Sequence, residues 1–162
     1  MPATFTAVRG AFTPSSTNDN CTLHGVGLAA GNICWLKQIG WGGRLQQSTA
    51  YRTRWFYPSA GSSGSATNLT AQGSNPAASQ VFNCASTFAV LQITPPADPQ
   101  NLYALDWNAQ GGEGSLTLPI NKYWAVLHAG ATFGSIQVGH IGCRNTAGFD
   151  ANGSHYTMVW VE

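Results

Sequence analysis

The chain has 162 residues, of which 11% are aromatic and only 8% are charged, and its formal net charge at pH 7 is +1. Disordered chains are rich in charge and poor in aromatic residues, so this composition predicts a folded chain. Nucleic-acid binding needs several clustered cations, and here only Arg52 and Arg54 lie close together. No apolar run approaches the ~18 residues of a membrane helix. The first residues, Met1–Thr6, lack the basic start and apolar centre of a signal peptide.

The low charge content also bears on the surface of the fold. An average domain has about 25% charged residues, so the polar surface here must consist of Ser, Thr, Asn and Gln side chains and of backbone. Such a surface has little electrostatic repulsion and packs readily against copies of itself. The composition therefore favours a protein that works in an assembly, and a monomer solvated by amides and hydroxyls is the alternative.

The first half of the chain predicts four β-strands. Glycines and prolines punctuate short segments that are rich in Val, Ile, Thr and aromatic residues, which is typical of an all-β sandwich or barrel. The predicted strands are Thr4–Phe12, Cys21–Leu28, Ile33–Trp41 and Ser48–Tyr57. Gly42 and Gly43 are predicted to end the third strand.

Two of these strands alternate in a way that assigns their faces. In the third strand, one face is predicted to hold Ile33, Trp35, Lys37, Ile39 and Trp41. In the fourth strand, one face is predicted to hold Tyr51, Thr53, Trp55 and Tyr57, and the other to hold Arg52, Arg54 and Phe56.

The second half begins with a long polar segment. Residues 58–79 are mostly Ser, Gly, Ala, Thr and Asn, and we interpret them as one long surface loop, with a linker between two domains as the alternative. The strands predicted after it are Gln80–Thr94, Leu102–Trp107, Ser115–Ile120, Lys122–Ala129, Gly134–Cys143 and His155–Glu162, with a loop at Asn145–Gly153. The whole chain, 1–162, then forms a single antiparallel β-sandwich of about eight to ten strands.

The cysteines and histidines give no local sign of a metal or redox site. Cys21, Cys34, Cys84 and Cys143 show no Cys-x-x-Cys spacing, and we expect free, buried thiols, with a Cys21–Cys34 disulfide as the alternative. The four histidines lie more than ten residues apart, so a metal site needs ligands from separate strands. The histidines are His24, His128, His140 and His155.

Catalytic motifs are also missing from the sequence. Glycosidase chemistry needs two carboxylates across a cleft, and Asp106 and Glu113 flank one predicted turn, although a solvated acid is the ordinary reading of Glu113 between glycines. There is no Gly-x-Ser-x-Gly elbow on a strand–helix turn and no phosphate-binding Gly-x-x-x-x-Gly-Lys loop. We therefore expect no catalytic residues, no metal and no cofactor, and a protein that is not an enzyme.

Two sets of residues are candidates for binding. Arg52 and Arg54 project from one strand face about 7 Å apart, and guanidinium groups clamp carboxylates bidentately. With Phe56 they form the predicted protein-interface patch, for which two solvated arginines are the alternative. A sugar-binding surface is the second candidate, because sugars stack on aromatic side chains, although tryptophans of a sandwich more often form its core. Its aromatic candidates are Trp41, Trp55, Tyr57 and Trp107.

The layout of the chain resembles a family of small jelly-roll proteins of tailed bacteriophages, the head decoration or cement proteins and related accessory virion proteins. The resemblance is carried by the opening strand Thr4–Arg9, the insert ending in Gly73–Ala78, the tryptophan-bearing segment Leu118–Leu127 and the last strand Tyr156–Glu162. It brings no catalytic residues.

The resemblance implies a jelly-roll fold and a homotrimer that binds the major capsid protein or other virion proteins and stabilises the phage head. It also implies assembly in the host cytoplasm and a final location on the virion. The alternative function is a carbohydrate- or receptor-binding sandwich of a phage tail or spike.

Overall fold

The computed structural model describes residues 2–15, 19–25, 32–45, 48–56, 65–75, 80–89, 101–118, 125–128, 140–148 and 150–162. All regular secondary structure in these ranges is β-strand. The strands are β1 (Thr4–Phe12), β2 (Cys21–His24), β3 (Ile33–Gly43), β4 (Ala50–Phe56), β5 (Ser65–Asn68), β6 (Gln72–Gly73), β7 (Asn83–Ala89), β8 (Asn101–Asn108), β9 (Glu113–Thr117), β10 (Ala125–His128), β11 (His140–Ala147) and β12 (Ser154–Val161).

The strands form two six-stranded antiparallel sheets. Sheet A has the order β10-β3-β12-β1-β6, with β9 also paired to β3. Sheet B has the order β5-β7-β2-β11-β4-β8. The predicted all-β sandwich is therefore confirmed.

The order of strands within the sheets is that of a jelly roll. The chain crosses between the sheets at each step from β1 to β4, and again from β10 through β11 to β12. The first strand thus lies beside the last in sheet A, and β2 lies beside β11 in sheet B, which is the double Greek-key arrangement of this fold. The position beside β3 is shared by two strands, since β9 pairs with Gln38–Gly42 and β10 with Ile33–Leu36. Strands β5, β6 and β7 are additions to the eight-position jelly roll.

Several predicted strands agree with the structure and others need correction. β1 has the predicted bounds, and β12 buries Tyr156, Met158 and Trp160 on one face as predicted. Gly42 and Gly43 do not end β3 but belong to it, because both pair with the neighbouring strand β12. β11 runs to Ala147, into the predicted loop at Asn145–Gly153.

The predicted loop at 58–79 is wrong for part of its length. Within it, β5 extends sheet B beside β7, and β6 pairs with Phe5 and Thr6 of β1. Short polar strands of this kind lack the apolar alternation by which strands are recognised in a sequence. The structure therefore has twelve strands in its described part, more than the eight to ten expected. Tyr57 and residues 131–139, which carry other predictions, lie outside the described residues.

The predicted face of β3 is also wrong, and a register shift explains why. Between Leu36 and Gln38 the pairing with β12 skips one residue, which reverses the alternation along the strand. Cys34 and Leu36 are consequently buried on the same side as Ile39, whereas Trp35 and Lys37 are only half-buried.

Large aromatic side chains fill the space between the sheets. Trp55 of sheet B is 1% exposed and meets Tyr156 of sheet A edge-on, with ring centroids 5.9 Å apart. Trp41 of sheet A packs on Trp55 with ring centroids 6.0 Å apart. Together with Tyr51 and Thr53, Trp55 is buried on the predicted inner face of β4.

A buried hydrogen-bond network joins the two sheets at Tyr156. Its hydroxyl donates to Asn145 Oδ1 over 2.6 Å and lies 2.9 Å from Thr53 Oγ1. Trp107 Nε1 donates to the same Thr53 hydroxyl over 3.0 Å, and Asn20 Nδ2 donates to Asn145 Oδ1 over 3.2 Å. Since buried polar groups are costly when unpaired, this network favours one alignment of sheet A on sheet B.

We expect the variant Thr53→Val to lower the free energy of unfolding by about 1–3 kcal/mol, because it leaves the Trp107 Nε1 donor without its acceptor and removes the Thr53 hydroxyl from Tyr156, with little change in packed volume. Urea unfolding followed by tryptophan fluorescence measures the change. The matched control is Thr117→Val on an exposed position of β9, for which a change within about 0.5 kcal/mol is expected. Equal losses in the two variants contradict the structural role of the network.

Candidate functional site

The outer face of sheet B concentrates charge in a chain that has little of it. Arg52 and Arg54 of β4 point outward there, Asp106 faces Arg52 from β8, and Arg144 of β11 faces Arg54. Asp19 lies over the same face at Gly142, where an added Cβ would approach Asp19 Oδ2 to 2.5 Å. Five of the thirteen charged residues, seven basic and six acidic, thus share one face.

Arg52 and Asp106 form an exposed bidentate ion pair. Arg52 Nε donates to Asp106 Oδ1 over 2.7 Å and Arg52 Nη2 donates to Oδ2 over 3.0 Å. These hydrogen bonds lower the pKa of the Asp106 carboxyl below its ordinary value. Both side chains are more than half exposed, so the pair adds little to stability.

Arg144 and Asp19 form the buried counterpart. Arg144 Nη2 donates to Asp19 Oδ1 over 2.8 Å, and the hydroxyl of Thr22 donates to Asp19 Oδ2 over 3.3 Å. The two side chains are 6% and 0% exposed. Burial outweighs the attraction of Arg144 and raises the pKa of the Asp19 carboxyl from 3.8 to about 6.

The structure divides the predicted interface patch of Arg52, Arg54 and Phe56. Arg52 and Arg54 do share an outward face, but the guanidinium of Arg52 already holds a carboxylate of its own chain. Phe56 is fully buried, with the Arg144 guanidinium 5.7 Å from its ring centre, and is therefore not a surface residue of this domain. The role of the two arginines in a protein contact stays a prediction.

Sequence reasoning missed Asp19, Asp106 and Arg144 as members of this face. Asp19 and Arg144 lie 125 residues apart, and Arg52 and Asp106 lie 54 apart. Both pairs are set by the order of strands in sheet B. No local spacing in the sequence indicates either pair. Asp106 lies within β8, and it meets Arg52 only because β8 pairs with β4.

The raised pKa of Asp19 predicts a pH dependence of stability with a definite sign. A group that binds its proton more tightly in the folded state contributes most stability below pH 4, and this contribution is lost as the pH rises through about 6. A pKa difference of about two corresponds to about 3 kcal/mol. The Asp19 contribution should therefore make the free energy of unfolding, measured with urea, lower at pH 7 than at pH 4.5. We expect the variant Asp19→Asn to lack this difference. The control Asp106→Asn leaves the loss in place, and an unchanged pH dependence in Asp19→Asn contradicts the assignment.

The outer edge of sheet B is a second functional candidate. β8 is eight residues long, and in the described part of the chain no strand pairs with its outer edge. Its sequence contains no lysine or proline, which often protect an edge strand from pairing with another chain, and its one charged residue, Asp106, is paired with Arg52 of the same sheet. Among the described residues, β8 therefore offers its outer edge to a further strand.

Half-buried apolar side chains lie along the same side of the sandwich. They pack against the core at its margin, where β8 of sheet B comes near β9 of sheet A, and Trp41 and Tyr103 have ring centroids 6.4 Å apart. The members of this apolar margin are Trp41, Tyr103, Leu105, Trp107 and Leu116.

The predicted sugar-binding aromatic surface is not present as one surface. Trp55 belongs to the core, Trp41 and Trp107 lie at the apolar margin, and Tyr57 is outside the described residues. Asp106 and Glu113 form no carboxylate pair, because the two acids lie on opposite outer faces of the sandwich. Asp106 contacts Arg52 on sheet B, whereas Glu113 contacts His155 on sheet A.

All four cysteines are free and buried, as predicted. Cys21 Sγ and Cys84 Sγ lie 3.4 Å apart, and Cys143 faces Cys21 across the β2–β11 pair. Contact with Cys21 and burial raise the pKa of the Cys84 thiol, and burial raises that of Cys143. Since the thiolate is the reactive form, these residues behave as small apolar core residues.

Within the described ranges, no three His, Cys, Asp or Glu side chains come together in a way that could hold a metal ion. Nor does any described residue belong to a helix long and apolar enough to cross a membrane. Fold and surface define a charge-poor jelly-roll sandwich in which no described strand pairs with the outer edge of β8. Comparison of the sequence with protein-family models and with curated proteins finds no match.

Proposed function

We propose that this domain is a non-enzymatic structural protein of a virus particle, of the kind that decorates and stabilises a phage head. The observation that carries the proposal is the unprotected edge of β8 beside the apolar margin. An edge of this length, free of lysine and proline, is suited to being covered by a neighbouring protein.

The composition of the surface supports the same function. The net charge is +1, and two arginines of sheet B are paired with aspartates of the same chain. The domain therefore has little long-range repulsion toward copies of itself. Jelly rolls occur in viral capsid proteins as well as in lectins and cupins, so the fold is compatible with the proposal without selecting it.

The mechanism we propose is coverage of the edge on assembly. Copies of the domain, arranged as a homotrimer, contact the major capsid protein and bury the β8 edge and apolar margin at subunit junctions. Each contact is modest, but many copies on one shell act together and raise the free energy needed to rupture it. Assembly takes place in the host cytoplasm, and the mature protein resides on the virion.

The variant Ala104→Lys tests the proposed contact. Ala104 is exposed on β8 opposite Arg54, so a lysine there places a solvated charge at the edge, and thermal unfolding measures the cost of the like-charge pair to the isolated domain. We expect it to lower binding to heads of the parent phage, emptied of DNA and stripped of minor proteins, by at least about tenfold in a co-sedimentation assay. Light scattering on the free protein reports the accompanying loss of oligomer.

The control is Ala50→Lys, which adds the same charge to an exposed position on the same outer face, in the interior strand β4. It is expected to bind heads like the parent chain. Equal binding by both lysine variants contradicts the role of the β8 edge, and a parent chain that stays monomeric and does not bind heads overturns the proposed function.

A further inference from the structure

A shallow groove of about 270 Å³ lies on the outer face of sheet A, on the side of the sandwich opposite the charged face. Its floor is the backbone of β3 at Gly40, where no side chain rises. Thr157 is the nearest neighbour of this position, since a Cβ built on Gly40 would lie 3.3 Å from Thr157 Cβ. The groove is thus cut into the sheet by the absence of one side chain.

Polar side chains from three strands form the walls. Glu113 and Ser115 come from β9, His155 and Thr157 from β12, and Gln38 from β3 itself. The ring of His155 lies flat against the sheet, because it occupies the space that a side chain at Gly42 would fill, 2.1 Å from an added Cβ. The wall side chains therefore converge on the floor as hydrogen-bond donors and acceptors.

The distance between His155 and Glu113 indicates the kind of group that can hydrogen-bond to both side chains. His155 Nε2 and Glu113 Oε1 are 3.7 Å apart, too far for a direct hydrogen bond. A hydroxyl beside both atoms can bridge them, since its one proton is donated to the carboxylate while its oxygen accepts from the imidazole N–H. Ser115, Thr157 and Gln38 likewise both donate and accept.

The charge of the groove excludes other ligand classes. The Glu113 carboxylate repels phosphate and other anions, and none of the groove's wall side chains is a lysine or arginine. Calcium needs several oxygen ligands, and one carboxylate beside an imidazole does not supply enough of them. Apart from Glu113 and His155, the polar wall side chains are hydroxyls and an amide, which favour a neutral ligand rich in hydroxyl groups.

We propose that this groove binds a neutral carbohydrate, with a pyranose ring lying on the Gly40 backbone and vicinal hydroxyls shared between Glu113 and His155. Of the described members of the aromatic surface predicted from the sequence, Trp41 alone lines this groove, and the β8 edge belongs to the other sheet. The site relies on hydrogen bonds and not on an aromatic platform, so it distinguishes sugars by the arrangement of their hydroxyls.

Titration of the folded, isotope-labelled chain with neutral sugars, followed by amide chemical shifts in NMR spectra, tests the site. The probes are glucose, galactose, mannose and N-acetylglucosamine, each as the free monosaccharide and as a disaccharide, with inorganic phosphate and calcium as comparison ligands. We expect at least one sugar to cause saturable shifts of Gly40, Ser115 and Thr157 amides. A preference for disaccharides over monosaccharides shows that the ligand is a glycan chain and not a free sugar.

Two valine variants and one amide variant locate the binding. Gly40→Val fills the floor and is expected to weaken binding at least about tenfold. Gly10→Val adds the same side chain to an exposed position of β1 in the same sheet, with nothing within 4 Å, and should leave affinity unchanged. Glu113→Gln should weaken binding severalfold, and thermal unfolding confirms that each variant is folded.

The proposal is overturned if no neutral sugar gives saturable shifts in the groove, if phosphate or calcium gives them instead, or if Gly40→Val binds like Gly10→Val. None of these outcomes bears on head binding, because Gly40 and Ala104 lie on different sheets. Failure of the sugar site and failure of the structural function are therefore distinguishable.

Discussion

The hydroxyl of Tyr156 determines how the two sheets lie on each other. It sits on the central strand of sheet A and reaches Asn145 and Thr53 on two neighbouring strands of sheet B. A polar contact of this kind tolerates only a narrow range of sheet positions, whereas apolar packing alone tolerates many. The contact between Tyr156 and Thr53 also positions the outer faces of the two sheets. In β12, His155 and Thr157 point outward on either side of Tyr156. In β4, Arg52 and Arg54 point outward on either side of Thr53.

That arrangement separates three surfaces with different chemistry. The outer face of sheet B holds two Arg–Asp pairs, one exposed and one buried, so most of its charge is neutralised within the chain. The outer face of sheet A holds a polar groove with a glycine floor. Between them, at the β8 side, the sandwich ends in apolar side chains and an open strand edge. One domain thus has a face suited to small polar ligands and an edge suited to protein.

The sequence predicts the fold where alternation is strong and unbroken. β1, β4 and β12 were located because β-branched and aromatic residues alternate with polar ones, and the buried residues of β4 and β12 follow from that period. The faces of β3 were not predictable, since the shift at Leu36–Gln38 depends on how β12 pairs with it. The sequence does not indicate β5 and β6, because both are short and have no large apolar residue, and they are strands only through pairing with β7 and β1.

The candidate sites depend even more on tertiary structure. Arg52 and Arg54 were recognisable from their spacing, but the acids that accompany them on sheet B come from distant parts of the chain. The polar groove of sheet A has no local sequence pattern, since Gln38, Glu113 and His155 meet only after three strands have paired. Phe56 alternates correctly with the arginines and is nevertheless buried, because alternation assigns a face and not the degree to which that face is covered.

The pairing of β1 with β12 has a consequence for how the chain acquires its structure. Thr4 lies opposite Val161, so β1 finds its main partner β12 only after all the strands between them have been synthesised. Topologies dominated by such distant contacts fold slowly, because a long loop must close before the contacts form. During this interval the apolar face of β1 lacks its cover, and a low net charge gives the nascent chain little protection against aggregation. Productive folding of this jelly roll thus competes with self-association during synthesis, and a chaperone that holds β1 until β12 has been made would raise its yield.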